Sequence, residues 1–255
     1  MSTHGTARRR RVTALLVAAL VALAGMGLNV LKNQTPAPVI NGQVGGVLQK
    51  DTSTVNILQT PAATTLAGNT LETLAVKGRA PKTGYSRDQF SDGWATIGAC
   101  DMRNHILARD MINVKLRSAS DCTVLSGTLN DVYTGKTIEF TRGANSSAVQ
   151  IDHVVAISNT WQTGAQQLSR EERYQLYNDP LELIAVDGPA NNQKSDADAA
   201  TWLPPNKDYR CRYVARQIAV KAKYRLWVTT AERDTMRRTL ATCPEQQLPT
   251  VEPVL

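Results

Sequence analysis

VQIDHVV, at residues 149–155, and LELIAVDGPANNQK, at residues 181–194, are the two stretches that decide the fold. Each contains a short run of β-branched and other apolar residues, which predicts a strand. The pair Gly188-Pro189 breaks the second strand. The sequence therefore predicts a strand that ends at Asp152-His153, then a second strand, then a helix that opens with Asn191.

In the rest of the chain, the hydrophobic pattern predicts a mixture of helices and strands, so the expected fold class is α+β. Serine and glutamate at positions 169 and 172 form the signature of a helix cap. The other predicted elements are a helix over 104–116, a β-hairpin of 122–129 and 136–142, and helices over 209–228 and 230–241.

The small number of histidines excludes several classes of enzyme. The chain contains three, at His4, His105 and His153. This count excludes zincins and other sites that need several histidines. The sequence also lacks G-x-S-x-G, the signature of the nucleophile-elbow hydrolases.

Asp152, His153 and Asn191 together suit the hydrolysis of a phosphodiester. Such a reaction needs a base that takes a proton from water and a cation that neutralises charge on the phosphate. A histidine with an ordinary pKa near 6.5 can act as the base, so activity is expected to fall as the pH drops through that value. A carboxylate and an amide oxygen suit a hard cation. The competing interpretation is structural, because an isolated Asp-His pair or Asn-Asn pair is usually not a site.

A series of short motifs, in this order, resembles the secreted HNH endonuclease family of actinobacteria. That family is described by a domain of unknown function shared with GmrSD-type restriction enzymes. The similarity spans residues 82–243. Its motifs are CDMRN at 100–104, DVYTG at 131–135, QIDHVV at 150–155, NDPL at 178–181, N-x-x-K-x-D at 191–196 and WLP at 202–204.

The resemblance implies a ββα-metal (HNH) core, with the additional helices and the hairpin around it. It implies one divalent cation, Mg²⁺ or Mn²⁺, and a nucleic acid substrate, for which DNA is expected. Separately, the protein is expected to be a monomer. His153 corresponds to the general base, and Asp152 and Asn191 correspond to the metal ligands. Lys194 and Arg103 are expected to contact the substrate.

One departure from the family pattern concerns the loop that carries the histidine. The pattern has an asparagine on the second strand, where it braces that loop, and this chain has Glu182. The resemblance therefore does not predict how this loop is braced in this chain.

The N-terminal part of the chain explains most of its net charge of +7. Arg8 to Arg11 precede an apolar run at 12–31, which is typical of an export signal and is also long enough for an uncleaved membrane anchor. Either alternative predicts a secreted or extracytoplasmic protein, with membrane contact only through this segment. The predicted organisation is a signal peptide or anchor at 1–32, a flexible linker at 33–81, a nuclease domain at 82–243 and a disordered tail at 244–255.

The four cysteines fit a protein outside the cytoplasm. None of them forms a C-x-x-C pair, which argues against a zinc site. In an oxidising compartment they predict two disulfides, with three possible connectivities. Local pairing is preferred, Cys100 with Cys122 and Cys211 with Cys243.

Ten basic side chains lie between residues 207 and 238. They could form a surface that follows the phosphates of a nucleic acid. Alternatively, Tyr213, Tyr224 and Trp227 belong to the core of an amphipathic helix, and the cationic side chains cover it. We favour the core for the aromatic residues and leave both options open for the cations.

Two other functions remain compatible with the sequence. One is an extracellular protein that binds nucleic acid without cleaving it. The other is a hydrolase of a different phosphodiester polymer.

Overall fold

The structure, a computed structural model, describes residues 65–250 except positions 119 and 144. The predicted export signal at 12–31 lies outside these residues, and so does most of the predicted linker. No helix of the described part is long and apolar enough to cross a membrane. The helices are α1 (Ala67–Thr73), α2 (Met102–Asp110), α3 (Ile157–Gln162), α4 (Arg170–Tyr177), α5 (Gly188–Lys194), α6 (Arg210–Lys223) and α7 (Thr230–Leu240).

The strands form three small antiparallel sheets, so the fold is α+β as predicted. Their order is β1-β2, β3-β4-β5 and β6-β7. The strands are β1 (Thr96–Ile97), β2 (Cys100–Asp101), β3 (Met111–Ser118), β4 (Asp121–Asn130), β5 (Thr137–Thr141), β6 (Val149–His153) and β7 (Leu183–Asp187).

The pair β6-β7 is buried on both faces, which explains its almost continuous apolar sequence. Side chains such as Ile184 and Val186 belong to a core cluster with α1, α6 and α7. Ile151, Leu183 and Ala185 belong to a second cluster with α2 and β4. In this pair His153 is aligned with Leu183, and a slip by one residue would exchange the side chains that pack against the two clusters.

The helix predicted over 104–116 is shorter than expected. It ends at Asp110, and residues from Met111 onward form β3, which pairs with the predicted hairpin. Met111 pairs with Leu129 and Ile112 with Thr128. Tertiary pairing with β4 therefore outweighs a local pattern that fitted a helix.

Two predicted boundaries are also wrong. Residues 65–81 are not linker, because Leu71 of α1 is buried in the core. Residues 244–250 are not a disordered tail, because Leu248 donates its backbone N–H to the carbonyl of Thr65 and Ala67 donates to that of Gln246. The two ends of the folded unit thus stabilise each other, an association that neither segment reveals alone.

Both predicted disulfides are present. Cys100–Cys122 joins β2 to β4, and Cys211–Cys243 joins α6 to the residues that follow α7. The helix predicted over 209–228 ends at Lys223, and Arg225 then adopts a left-handed backbone conformation with φ of 55°.

Candidate active site

The three residues that are predicted to carry the chemistry, Asp152, His153 and Asn191, line one polar cleft with a volume of about 320 Å³. Asp152 and His153 lie at the end of β6, and Asn191 lies on α5. The cleft is lined by Tyr85, Arg87, Ile151, Asp152, His153, Ala156, Ile157, Ser158, Asn191, Asn192, Ser195 and Asp196.

The imidazole of His153 is held in one orientation. Its Nε2 lies 2.9 Å from the backbone carbonyl of Tyr177. A carbonyl can only accept a hydrogen bond, so Nε2 carries the proton and Nδ1 keeps its lone pair. The ring stacks on Trp94, with 5.8 Å between centroids, and Nδ1 lies 3.5 Å from Nη2 of Arg87.

These surroundings keep His153 neutral. Burial lowers its pKa to about 3, and the positive charge of Arg87 acts in the same direction. The expected loss of activity near pH 6.5 therefore needs correction, because the buried imidazole is still unprotonated at that pH. Neutral Nδ1 is the form that can accept a proton from water.

Asp152 is buried beside the histidine and binds two donors. Its Oδ1 accepts a hydrogen bond from Nζ of Lys194 at 3.0 Å, and its Oδ2 accepts one from the hydroxyl of Tyr133 at 2.6 Å. Each carboxylate oxygen has a second lone pair. The carboxylate is thus fixed in orientation and can still accept another partner from the cleft.

Asn191 reaches the cleft because α5 begins close to β6. At Gly188, the first residue of α5, a Cβ would lie 2.2 Å from the backbone oxygen of Ser147, so only glycine permits this approach. The Nδ2 of Asn191 donates to Oε1 of Gln150 at 2.8 Å. The side-chain oxygen of Asn191, Oδ1, accepts no hydrogen bond from the part of the chain that the structure describes.

Glu182 braces the loop that follows His153. Its Oε2 accepts a hydrogen bond from the backbone N–H of Val155, and its backbone carbonyl accepts one from Val154. The side chain is fully buried, and burial raises its pKa well above the ordinary value. The loop is therefore held by a carboxyl group at the place where the family pattern has an asparagine.

The two residues expected to contact the substrate, Lys194 and Arg103, both bind groups within the protein. Lys194 is buried, and besides Asp152 its Nζ donates to the carbonyl of His153 at 2.9 Å. Arg103 donates to the carbonyl of Val149 at 3.2 Å, at the first residue of the strand that carries the site. Neither residue lines the cleft, so both support its walls.

The basic residues of α6 are also engaged within the protein. Arg216 donates to the carbonyls of Pro180, Leu181 and Leu183. The ammonium of Lys223 lies 2.6 Å from Asp179. The aromatic residues of α6 and the following loop are buried, as favoured, and these two cations stabilise the turn before β7.

Two cleft residues, Tyr85 and Arg87, were missed by the sequence analysis. Arg87 donates through Nε to the hydroxyl of Tyr177 at 3.1 Å and presents Nη2 to His153. No local motif or periodicity marks these residues, because they reach the cleft through the tertiary path of residues 77–90. Asp196, the last residue of the N-x-x-K-x-D motif at 191–196, also lines the cleft.

The candidate donors for a cation are few. Within residues 65–250, apart from the two undescribed positions, no group of three histidine, cysteine, aspartate or glutamate side chains could hold a metal. Two carboxylates, those of Asp152 and Asp196, and two side-chain amides, those of Asn191 and Asn192, line the cleft. This donor set excludes a structural zinc site and suits a hard cation that keeps several waters.

Comparisons with known proteins give a family and one curated relative. The family model described as "GmrSD restriction endonucleases, C-terminal domain" matches residues 101–239. An "Uncharacterized secreted protein" of Arthroderma benhamiae is 36% identical over 203 residues, which covers 75% of this chain and 96% of the relative. No solved structure gives a significant match.

Proposed function

The chain belongs to the family of the GmrSD restriction endonuclease C-terminal domain, and from this premise we propose that it is a metal-dependent HNH-type endonuclease that cleaves DNA outside the cytoplasm. The observation that carries the proposal is the fixed, neutral His153 in a cleft with Asp152 and Asn191. The succession of β6, β7 and α5 supports a ββα-metal core.

Asp152 and Asn191 fit the role of cation ligands. The carboxylate is held by Tyr133 and Lys194, and the amide nitrogen of Asn191 is held by Gln150, which leaves oxygen atoms for the cation. Ligands oriented in this way need little reorganisation on binding. A bound Mg²⁺ or Mn²⁺ would neutralise the charge that grows on the phosphate and the leaving oxygen.

His153 performs the proton transfer in this proposal. The carbonyl of Tyr177 fixes the proton on Nε2, so Nδ1 takes a proton from the attacking water. Arg87 lies beside Nδ1 and binds a phosphate oxygen, which moves its guanidinium away from the histidine. Glu182 keeps the loop after His153 in place during the reaction.

Action outside the cytoplasm has independent support. The curated relative carries the description of a secreted protein. Both pairs of cysteines are joined as disulfides, and such bonds persist in oxidising compartments. The arginines and the apolar run at the N-terminus have the composition of an export signal.

The proposal is tested with the purified full chain on single-stranded and duplex DNA, in Mg²⁺, in Mn²⁺ and in EDTA. We expect cleavage in either metal and none in EDTA. His153→Ala should reduce the rate by about a hundred- to ten-thousand-fold, the typical effect of removing a general base. His105→Ala is the matched control, because this histidine lies outside the cleft and should have no effect.

Two outcomes would overturn the proposal. If the wild type binds DNA but cleaves neither form in any metal, the chain is a binding protein. If it cleaves a model phosphodiester or another phosphodiester polymer and leaves DNA and RNA intact, its substrate is of another class.

A further inference from the structure

Residues 77–90, here called the strap, cross the protein beside the cleft and are fixed along their length. Trp227 donates from Nε1 to the carbonyl of Gly78 at 3.0 Å, and the N–H of Ala80 donates to Gln162 at 2.8 Å. Phe90, the last residue, is buried in the core. The strap lies upstream of the matched residues 101–239.

The strap brings an aromatic ring and two cations to the cleft. Tyr85 and Arg87 line it directly. The ammonium of Lys82 lies 5.4 Å from the centre of the Tyr85 ring and 3.2 Å from a carboxylate oxygen of Asp196, which also lines the cleft. The ring of Tyr85 is half-buried and rests against Trp161, with 6.1 Å between centroids, which fixes its position.

With the strap in place, the reactive side chains are recessed. His153 is 4% exposed and Asp152 is 5% exposed. The cleft, with a volume of about 320 Å³, has room for a phosphodiester with one neighbouring sugar or base, and its reactive groups lie below the surface that a duplex would contact. Duplex DNA is also stiff, with a persistence length of about 150 base pairs, so its backbone does not bend into such a recess.

We propose that the strap makes this site selective for single-stranded nucleic acid, with a nucleobase stacked on Tyr85 and the adjacent phosphate bound by Arg87. This inference rests on the proposed function. Aromatic rings and cations side by side are the usual means of binding single strands without sequence preference. The base takes the place of the Lys82 ammonium over the ring, and the released ammonium binds the next phosphate.

The test compares a fluorescent oligonucleotide as a single strand and as a duplex, using the full chain. Binding is measured by anisotropy in EDTA, and cleavage is measured in Mg²⁺. We expect the single strand to bind and to be cleaved at least about ten-fold better than the duplex, because only it can stack on the ring. Tyr85→Ala should weaken its binding by roughly five- to hundred-fold, the effect of one lost stacked base.

Three further variants separate recognition from folding. Tyr85→Phe keeps the ring and should bind like the wild type. Tyr174→Ala removes a tyrosine that is 39% exposed and outside the cleft, and should also bind normally. Arg87→Ala should lower the slope of log affinity against log salt by about 0.7, the value for one phosphate contact to a single strand.

The inference is overturned if the duplex binds and is cleaved as well as the single strand, or if Tyr85→Ala binds the single strand normally. Either result leaves the nuclease proposal intact. Conversely, selective binding of the single strand without any cleavage supports the strap and contradicts the proposed function.

Discussion

Two buried lysines of this protein make the same kinds of contact but lie in different parts of the molecule. Lys194 pairs with Asp152 and Lys221 pairs with Glu232, each with 3.0 Å between nitrogen and oxygen and with both side chains almost fully buried. Each lysine also donates to a backbone carbonyl, that of His153 or that of Trp227.

The difference lies in what the carboxylate does besides pairing. Asp152 lines the cleft, whereas Glu232 closes the capping box of α7 with Thr229. Burial and pairing are therefore shared by a site and by a structural contact. The two pairs differ only in whether the carboxylate lies at the cleft, and this cannot be read from the sequence.

Replacing each lysine by methionine gives the largest expected effect. Lys194→Met and Lys221→Met should each lower the free energy of unfolding by about 3–5 kcal/mol, because a buried carboxylate loses its partner. Only Lys194→Met should also lower cleavage per folded molecule, by about ten- to hundred-fold, since Asp152 loses its orientation.

Denaturant unfolding and cleavage assays of the two variants provide the measurement. Equal losses of activity per folded molecule would show that the distinction between the two pairs is wrong.

A second pair of variants tests how Glu182 holds the loop after His153. Glu182→Gln still accepts a hydrogen bond from Val155 and should retain cleavage. Glu182→Ala leaves that buried N–H without its partner and should cost about 1–3 kcal/mol of stability together with a loss of cleavage.

The pH dependence of Glu182→Gln sharpens this test. The folded state holds the protonated carboxyl, whose pKa is raised, so the wild type loses stability as the pH rises above the ordinary value of 4.5. Glutamine removes this loss, and the variant should be the more stable protein at neutral pH. Equal pH profiles for the two proteins, from denaturant unfolding, would contradict a buried neutral carboxyl.

Much of the site was predictable because it depends on local sequence. The strand that ends at Asp152-His153, the second strand and the start of the helix that carries Asn191 follow from apolar runs and a Gly-Pro break. The cleft residues Tyr85 and Arg87 were not predictable, because only the path of the strap brings them there. Lys194 illustrates a further limit: its motif identifies it, but whether its ammonium contacts the substrate or Asp152 depends on packing.

An effect confined to acidic pH follows from the depressed pKa of His153. Below pH 6.5 the unfolded chain binds a proton that the folded site does not bind until about pH 3. Stability should therefore fall as the pH decreases through this window, by about 1.4 kcal/mol per pH unit from this residue. The free energy of unfolding of metal-free His153→Gln should lack this fall at acidic pH. The His105→Gln variant should keep it.

Calorimetric titration of Mn²⁺ into the full chain tests the central claim most directly. The claim is that His153 transfers the proton and that Asp152 and Asn191 hold the cation. His153→Ala should therefore bind Mn²⁺ like the wild type while it fails to cleave, and Asp152→Ala and Asn191→Ala should lose Mn²⁺ binding. If His153→Ala loses Mn²⁺ binding as completely as Asp152→Ala, the histidine is a ligand and this division of roles is contradicted.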